Sequence, residues 1–227
     1  MWRALLDAIR RRQRPAGPGG PVRRWASANG LVFRAEPGRG FTLAGLWQRR
    51  HVRVECGDAL RPYIEGQELS ARAALELQTE ASVVLMNRAL RRQLDHRVQV
   101  LRAEGVPASA MPEEAQWLST FHEAGWVGPS AEFWGRYAVL TDAPELAREW
   151  LQQEVIDRLM HWPLGGVRPE TPLLFMLLRG KVYLRMQMDL LPDPDTAVHA
   201  LDLFHRLAHR ALVLQPGGGL DGLSSRG

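Results

Sequence analysis

Phe41-Thr42-Leu43-Ala44-Gly45-Leu46-Trp47, then Gln48-Arg49-Arg50, then His51-Val52-Arg53-Val54-Glu55-Cys56 reads as strand, tight turn, strand. So does Leu173-Leu174-Phe175-Met176-Leu177-Leu178, Arg179-Gly180-Lys181, Val182-Tyr183-Leu184-Arg185-Met186-Gln187-Met188. Apolar residues at period two, bounded by charged or glycine-bearing turns, mark half-buried strands. In the first run Val52 and Val54 alternate with His51, Arg53 and Glu55, so that hairpin is expected to face water on one side. The apolar stretch 173–178 is unbroken and is expected in the middle of a sheet. A charged amphipathic helix pattern follows each hairpin. The expected class is α+β, an antiparallel hairpin or meander sheet packed by such helices. The repeated order, at 41–101 and 173–214, raises two similar α+β halves as an expectation.

Working outward, further strands are expected at 31–35, 67–74, 82–86 and 133–140, and one or two helical turns at 22–29. Residues 88–103 carry Leu90, Leu94, Val98 and Leu101 on one helical stripe. A second helix is expected from Pro112, with Trp117, Leu118 and Phe121 inward. Asp142 and Glu145 have the spacing of a capping box, which starts a helix running to about residue 160. A last helix runs from about 192 to 214. The expected organisation is a basic arm and Pro/Gly linker (1–21), a β-rich half with one long helix (22–106), an α+β half (107–214) and a disordered tail (215–227).

The chain has 227 residues, enough for one large domain or two small ones, and a formal charge of +4. Of its 29 basic residues only Lys181 is a lysine. Seven arginines against Asp7 put +6 on the first 24 residues, which leaves about −2 for the rest. The high isoelectric point therefore belongs to an arm. The single cysteine, Cys56, excludes an intrachain disulfide and reads as a structural thiol. No stretch approaches the ~20 apolar residues of a spanning helix, and the apolar run 4–9 is interrupted by Asp7, unlike a secretory signal. A cytoplasmic protein is expected.

Catalytic motifs are sparse. No G-x-G-x-x-G follows a strand, and there is no Walker loop, H-E-x-x-H or G-x-S-x-G. Asp202, His205 and His209 share one face of the last helix at metal-ligand spacing. The same wheel turns Leu203, Phe204, Leu207 and Ala211 to the other side, so the trio reads as a solvated polar face. No metal and no cofactor is expected. Trp117, Trp126, Trp134, Trp150 and Trp162 crowd one stretch and read chiefly as core.

The N-terminal arm is the most function-like feature. Trp2, Leu5, Leu6 and Ile9 form an apolar face beside Arg10, Arg11, Arg12 and Arg14, ahead of a Pro/Gly tether. Such a helix docks in a partner's groove or on an anionic membrane surface. The near-neutral remainder, without a basic stripe interleaved with aromatics, disfavours nucleic acid as the partner. The leading expectation is a non-enzymatic protein-binding or scaffold protein with this arm as docking element. A small-molecule-binding protein or enzyme with a Trp-lined pocket between the sheet and helices 143–160 and 195–214 is the alternative. A non-specific nucleic-acid binder is the weaker one.

The phrases Trp25-Ala26, Gly30-Leu31-Val32-Phe33, Gly45-Leu46-Trp47-Gln48, Val52-Arg53-Val54-Glu55, Arg61-Pro62-Tyr63-Ile64 and Val84-Leu85-Met86-Asn87-Arg88 carry a family resemblance. Arg136-Tyr137-Ala138-Val139, Trp150-Leu151 and Leu177-Leu178-Arg179-Gly180-Lys181-Val182-Tyr183-Leu184-Arg185 agree with it. Over about residues 25–214 the chain resembles a group of uncharacterised soluble proteins of proteobacteria, chiefly GC-rich β-proteobacteria. The resemblance implies the α+β fold and transfers no catalytic residue.

Overall fold

Both hairpins form, and the second one joins the sheet together. The computed structural model describes residues 20–36, 40–163, 167–188 and 193–214. Its strands are β1 (Leu31–Ala35), β2 (Phe41–Trp47), β3 (Arg50–Asp58), β4 (Gln67–Ala74), β5 (Val83–Asn87), β6 (His122–Ala124), β7 (Tyr137–Thr141), β8 (Leu173–Leu178) and β9 (Lys181–Met188). They make one antiparallel sheet in the order β1-β2-β3-β4-β9-β8-β5-β7-β6. The first four strands are a meander. The hairpin β8–β9, last in the chain, inserts between that meander and β5, so a single sheet takes strands from both expected halves.

Seven α-helices are described: α1 (Gly20–Ala28), α2 (Arg88–Ala103), α3 (Glu113–Thr120), α4 (Ala131–Arg136), α5 (Pro144–Trp150), α6 (Gln153–Met160) and α7 (Pro194–Val213). The fold is α+β. The arm and the tail 215–227 lie outside the described residues, apart from Gly20 and Pro21. Those two open α1, where a proline in the first turn loses no helical hydrogen bond.

Each hairpin turns on two residues where the sequence reading gave three. Gln48 and Arg49 have φ of 47° and 64°, Arg179 and Gly180 of 48° and 69°. Positive φ at both central positions gives the turn whose twist matches antiparallel strands. Arg50 and Lys181 therefore belong to the strands, paired with Trp47 and Leu178. The second turn presses on the segment after β4: Leu75 N–H donates to Gly180 O at 3.2 Å. A β-carbon at position 180 would lie 2.7 Å from Leu77 O and 2.9 Å from Leu77 N. Gly180→Ala adds that clash to the cost of a left-handed backbone. We expect it to lower stability by about 2 kcal/mol, seen as a lower urea midpoint at unchanged slope.

Burial explains the two strand patterns. Val52, Val54, Leu69, Ala71, Val182 and Leu184 point to one face, where α1, α5, α6 and α7 cover them in the main core. β8 is buried on both faces: Leu173, Phe175 and Leu177 join that core, while Leu174 and Met176 meet Val84, Met86, Ala138, Leu140 and Trp117 under α2 and α3. Two covered faces require the unbroken apolar run that the sequence shows.

Three local expectations are corrected. Residues 133–136 are helical: the Ser130 hydroxyl accepts the Phe133 N–H at 3.1 Å and starts α4, and the strand begins only at Tyr137. Asp142 does not cap. Its carboxylate accepts the Ser82 N–H at 2.7 Å, and the Thr141 hydroxyl takes the Ala143 N–H instead. The helix expected to reach residue 160 breaks after Trp150 into α5 and α6, which buries Trp150 and Leu151 in succession.

Candidate functional site

On its second face the described residues cover only half of the sheet. α2 and α3 lie over β5, β7 and β8, and the outward residues of β1–β4 and β9 form an open surface. Strand register orders these residues into cross-strand rows. One row runs Val32, Ala44, Arg53, Arg72, Tyr183, and the next Arg34, Thr42, Glu55, Ser70, Arg185. Beside them Leu46 pairs with His51, and Ala74 with Lys181. A trough of about 860 Å³ lies over the middle of this surface, lined by Leu46, His51, Arg53, Arg72 and Tyr183 among others. A second cavity of about 920 Å³ adjoins it between β9 and α3, and Tyr183 and Arg185 line both.

Arg185 fixes the wall between them. Its Nη1 donates to Glu114 Oε1 at 2.7 Å, Glu113 lies 3.8 Å from the guanidinium, and the group sits over the Trp117 ring at 5.6 Å. The Tyr63 hydroxyl donates to the same Glu114 oxygen at 3.2 Å. Burial disfavours the charged form of Arg185. Tyr63, Glu114 and Glu113 outweigh it and hold the guanidinium above its usual range. Burial also pushes the Tyr63 phenol up, so it stays a neutral donor. At the far end, buried Glu68 accepts the Leu60 N–H at 3.2 Å and pairs with Arg61 at 3.2 Å, which ties the 59–66 loop to the sheet.

The cations of the open face are unevenly neutralised. Arg53 Nε donates to Glu55 at 2.7 Å. Arg34, Arg72, Lys181 and His51 have no ion pair among the described residues. Arg53 and Arg72 stand directly opposite each other. Like charges in that position destabilise a sheet. Val32 and Leu46 add aliphatic surface, 60% and 55% exposed.

The residues singled out in the sequence fall elsewhere. Trp2, Leu5, Leu6, Ile9, Arg10, Arg11, Arg12 and Arg14 lie outside the described residues. Asp202, His205 and His209 do share a face of α7, but α1 and β2 partly cover it. The Trp25 indole N–H donates to Asp202 at 2.7 Å, and the His205 ring lies 4.5 Å from Trp47 and 6.4 Å from Trp25. Only His209 of the three is exposed. Among the described residues no three His, Cys, Asp or Glu are grouped to hold a metal. Cys56 is buried in the sheet, and burial pushes its thiol up to about 11, which keeps it protonated and unreactive near neutral pH.

The tryptophans divide between the two sides of the sheet. Trp117 belongs to the smaller core, and Trp150 to the main one, with Trp126, Trp134 and Trp162 packed against it. The space beneath α5, α6 and α7, where the Trp-lined pocket was expected, holds Trp150, Leu159, Phe204 and Leu207, all buried.

The half-buried histidines predict an acid dependence. Burial lowers the His205 and His199 pKa values below 6.5, although Asp202 opposes this at His205 and the Arg158 carbonyl at His199. The unfolded chain then binds these protons more readily than the folded one. Their stabilisation is complete above the ordinary histidine range and declines as pH falls through it. Tm is expected to drop between about pH 7.5 and pH 5.5, and His205→Phe should flatten that slope. Thermal scans across the interval check it.

Comparison with known proteins adds little. No family model matches the chain, and no curated protein does. Among solved structures, the mycobacterial trehalose monomycolate transport factor A, TtfA, shares 12% identity at a TM-score of 0.48, over 88% of this chain and 97% of that one. Similarity of that degree carries nothing about function. Among the described residues, no helix is long and apolar enough to cross a membrane.

Proposed function

We propose that this chain is a non-enzymatic protein-binding scaffold whose docking surface is the uncovered half of the sheet. The observation that carries the reading is the opposed Arg53 and Arg72 at the centre of an open trough flanked by exposed Val32 and Leu46. A fold that keeps a locally unfavourable pair on an otherwise regular sheet commonly does so for an external ligand. Apart from Arg61, the polar residues lining the trough sit on strands, whose positions the sheet fixes better than a loop would. In this reading the basic segment 1–19 supplies a second, tethered contact, which raises the effective concentration of whatever the sheet holds.

The two contacts separate experimentally. Tagged full-length protein, an Arg53→Glu/Arg72→Glu variant and a chain lacking residues 1–19 are expressed in the native host, and co-purifying proteins are quantified. All three should unfold at similar temperatures, since the two arginines are exposed and the deletion stops short of α1. A specific partner should be lost from the double variant and only weakened by the deletion. Retention by the double variant, with loss on deletion, would move the function to the arm.

A further inference from the structure

We infer that the uncovered half of the sheet recognises an acidic, extended polypeptide segment with carboxylates at alternate positions. This inference rests on the docking role proposed above and names the chemistry of the partner. Arg53 and Arg72, from neighbouring strands, stand opposite each other and both line the trough, and of the two only Arg53 has a counter-ion among the described residues, Glu55. Lys181, the chain's one lysine, has no ion pair among the described residues and stands one row further along, next to Ala74. A carboxylate entering between the two arginines would relieve their mutual repulsion and accept paired N–H bonds from either fork.

The row spacing matches the segment's own geometry. Alternate residues of an extended chain project to one side about 7 Å apart, as do successive rows of a sheet. Acidic residues two apart would therefore meet the Arg53–Arg72 row and the Lys181 row in turn.

Other anionic partners fit less well. Single-stranded nucleic acid is held by bare aromatic rings on which bases stack. Among these rows the rings are Tyr183, half-buried against the smaller core, and the lone imidazole of His51, too few for successive bases to stack on. A bilayer surface is planar, whereas Tyr183 and Arg185 lie at the foot of the α3 wall.

The test uses the full chain and a fluorescent decapeptide of alternating aspartate and leucine, with an asparagine-leucine peptide as its neutral control. Oligothymidylate and phosphatidylglycerol vesicles form the other arms. Arg53→Gln/Arg72→Gln should weaken the acidic peptide by about tenfold, because both charges reach the same carboxylate, and the affinity should fall with added salt. Arg92→Gln/Arg148→Gln, on exposed helical positions, controls for overall charge and should leave binding unchanged. Binding by the N-terminal arginines is common to both variants and drops out of the comparison. Equal weakening by the two variants, or no measurable binding of the acidic peptide, overturns the inference. Sensitivity to Arg53→Gln/Arg72→Gln confined to oligothymidylate or vesicles overturns it in favour of that class. If the peptide fails while the native partner still depends on Arg53 and Arg72, the docking surface stands and only its ligand chemistry is wrong.

Discussion

Trp150→Ala should lower the unfolding free energy by about 4 kcal/mol, a large part of what holds a chain of this size together. The side chain is fully buried at the end of α5, and its indole N–H donates to the Leu207 carbonyl of α7 at 2.9 Å. Two losses combine: the transfer and cavity terms of a large ring, and a buried carbonyl deprived of its side-chain donor. α5 has seven residues and is too short to persist without this anchor. Trp150→Phe keeps much of the ring and loses the hydrogen bond, so it should cost about 1–2 kcal/mol. Urea denaturation of the three proteins checks the order, and a cost for the alanine variant below that of the phenylalanine variant would contradict it.

Arg185→Met should cost about 3 kcal/mol, mostly by orphaning its partners. Glu114 is 13% exposed at its side chain and would keep a charge that only the Tyr63 hydroxyl still contacts. Arg185 also holds α3 to the sheet through Trp117. Because the penalty lies in the abandoned carboxylate, Arg185→Met/Glu114→Gln should be less destabilised than the sum of the single changes by about 1–2 kcal/mol. Strict additivity would mean that Arg185 acts as a spacer and that the ion pair contributes little.

The parts of the fold governed by local pattern were legible. Alternation at Val52 and Val54 gave the half-solvated strand, and the run 173–178 gave the central one, because one or two covered faces translate directly into period. Short mixed stretches were not. Phe133 is buried whether its backbone is helical or extended, and the deciding feature was the Ser130 cap, a side chain outside the expected strand. Asp142 was read as a cap from spacing alone, while the amide that claims it belongs to Ser82, sixty residues earlier. The helical wheel of α7 described its own surface correctly but not its neighbour: Trp25, 177 residues away, folds back on Asp202.

The proposed docking surface shows the same division. The signal was present in two strands, His51-Val52-Arg53-Val54-Glu55 and Lys181-Val182-Tyr183-Leu184-Arg185, whose outward residues are charged. What the sequence lacked was register. Nothing local says that Arg53 faces Arg72, or that β9 lies beside β4 with, among the described residues, no helix over their outer face. The charges of the arm, by contrast, are consecutive in sequence and need no strand pairing to form a cluster.

Site-directed photo-crosslinking in the native host tests the central claim most directly. A benzophenone side chain is placed at His51 or Ala44 on the uncovered half of the sheet, and at Glu149 on the exposed side of α5 as reference. The account predicts one discrete protein adduct from positions 44 and 51, reduced by Arg53→Glu, and none from position 149. Adducts from 149 alone, or none from 44 and 51 when the arm still retains a partner, would contradict it.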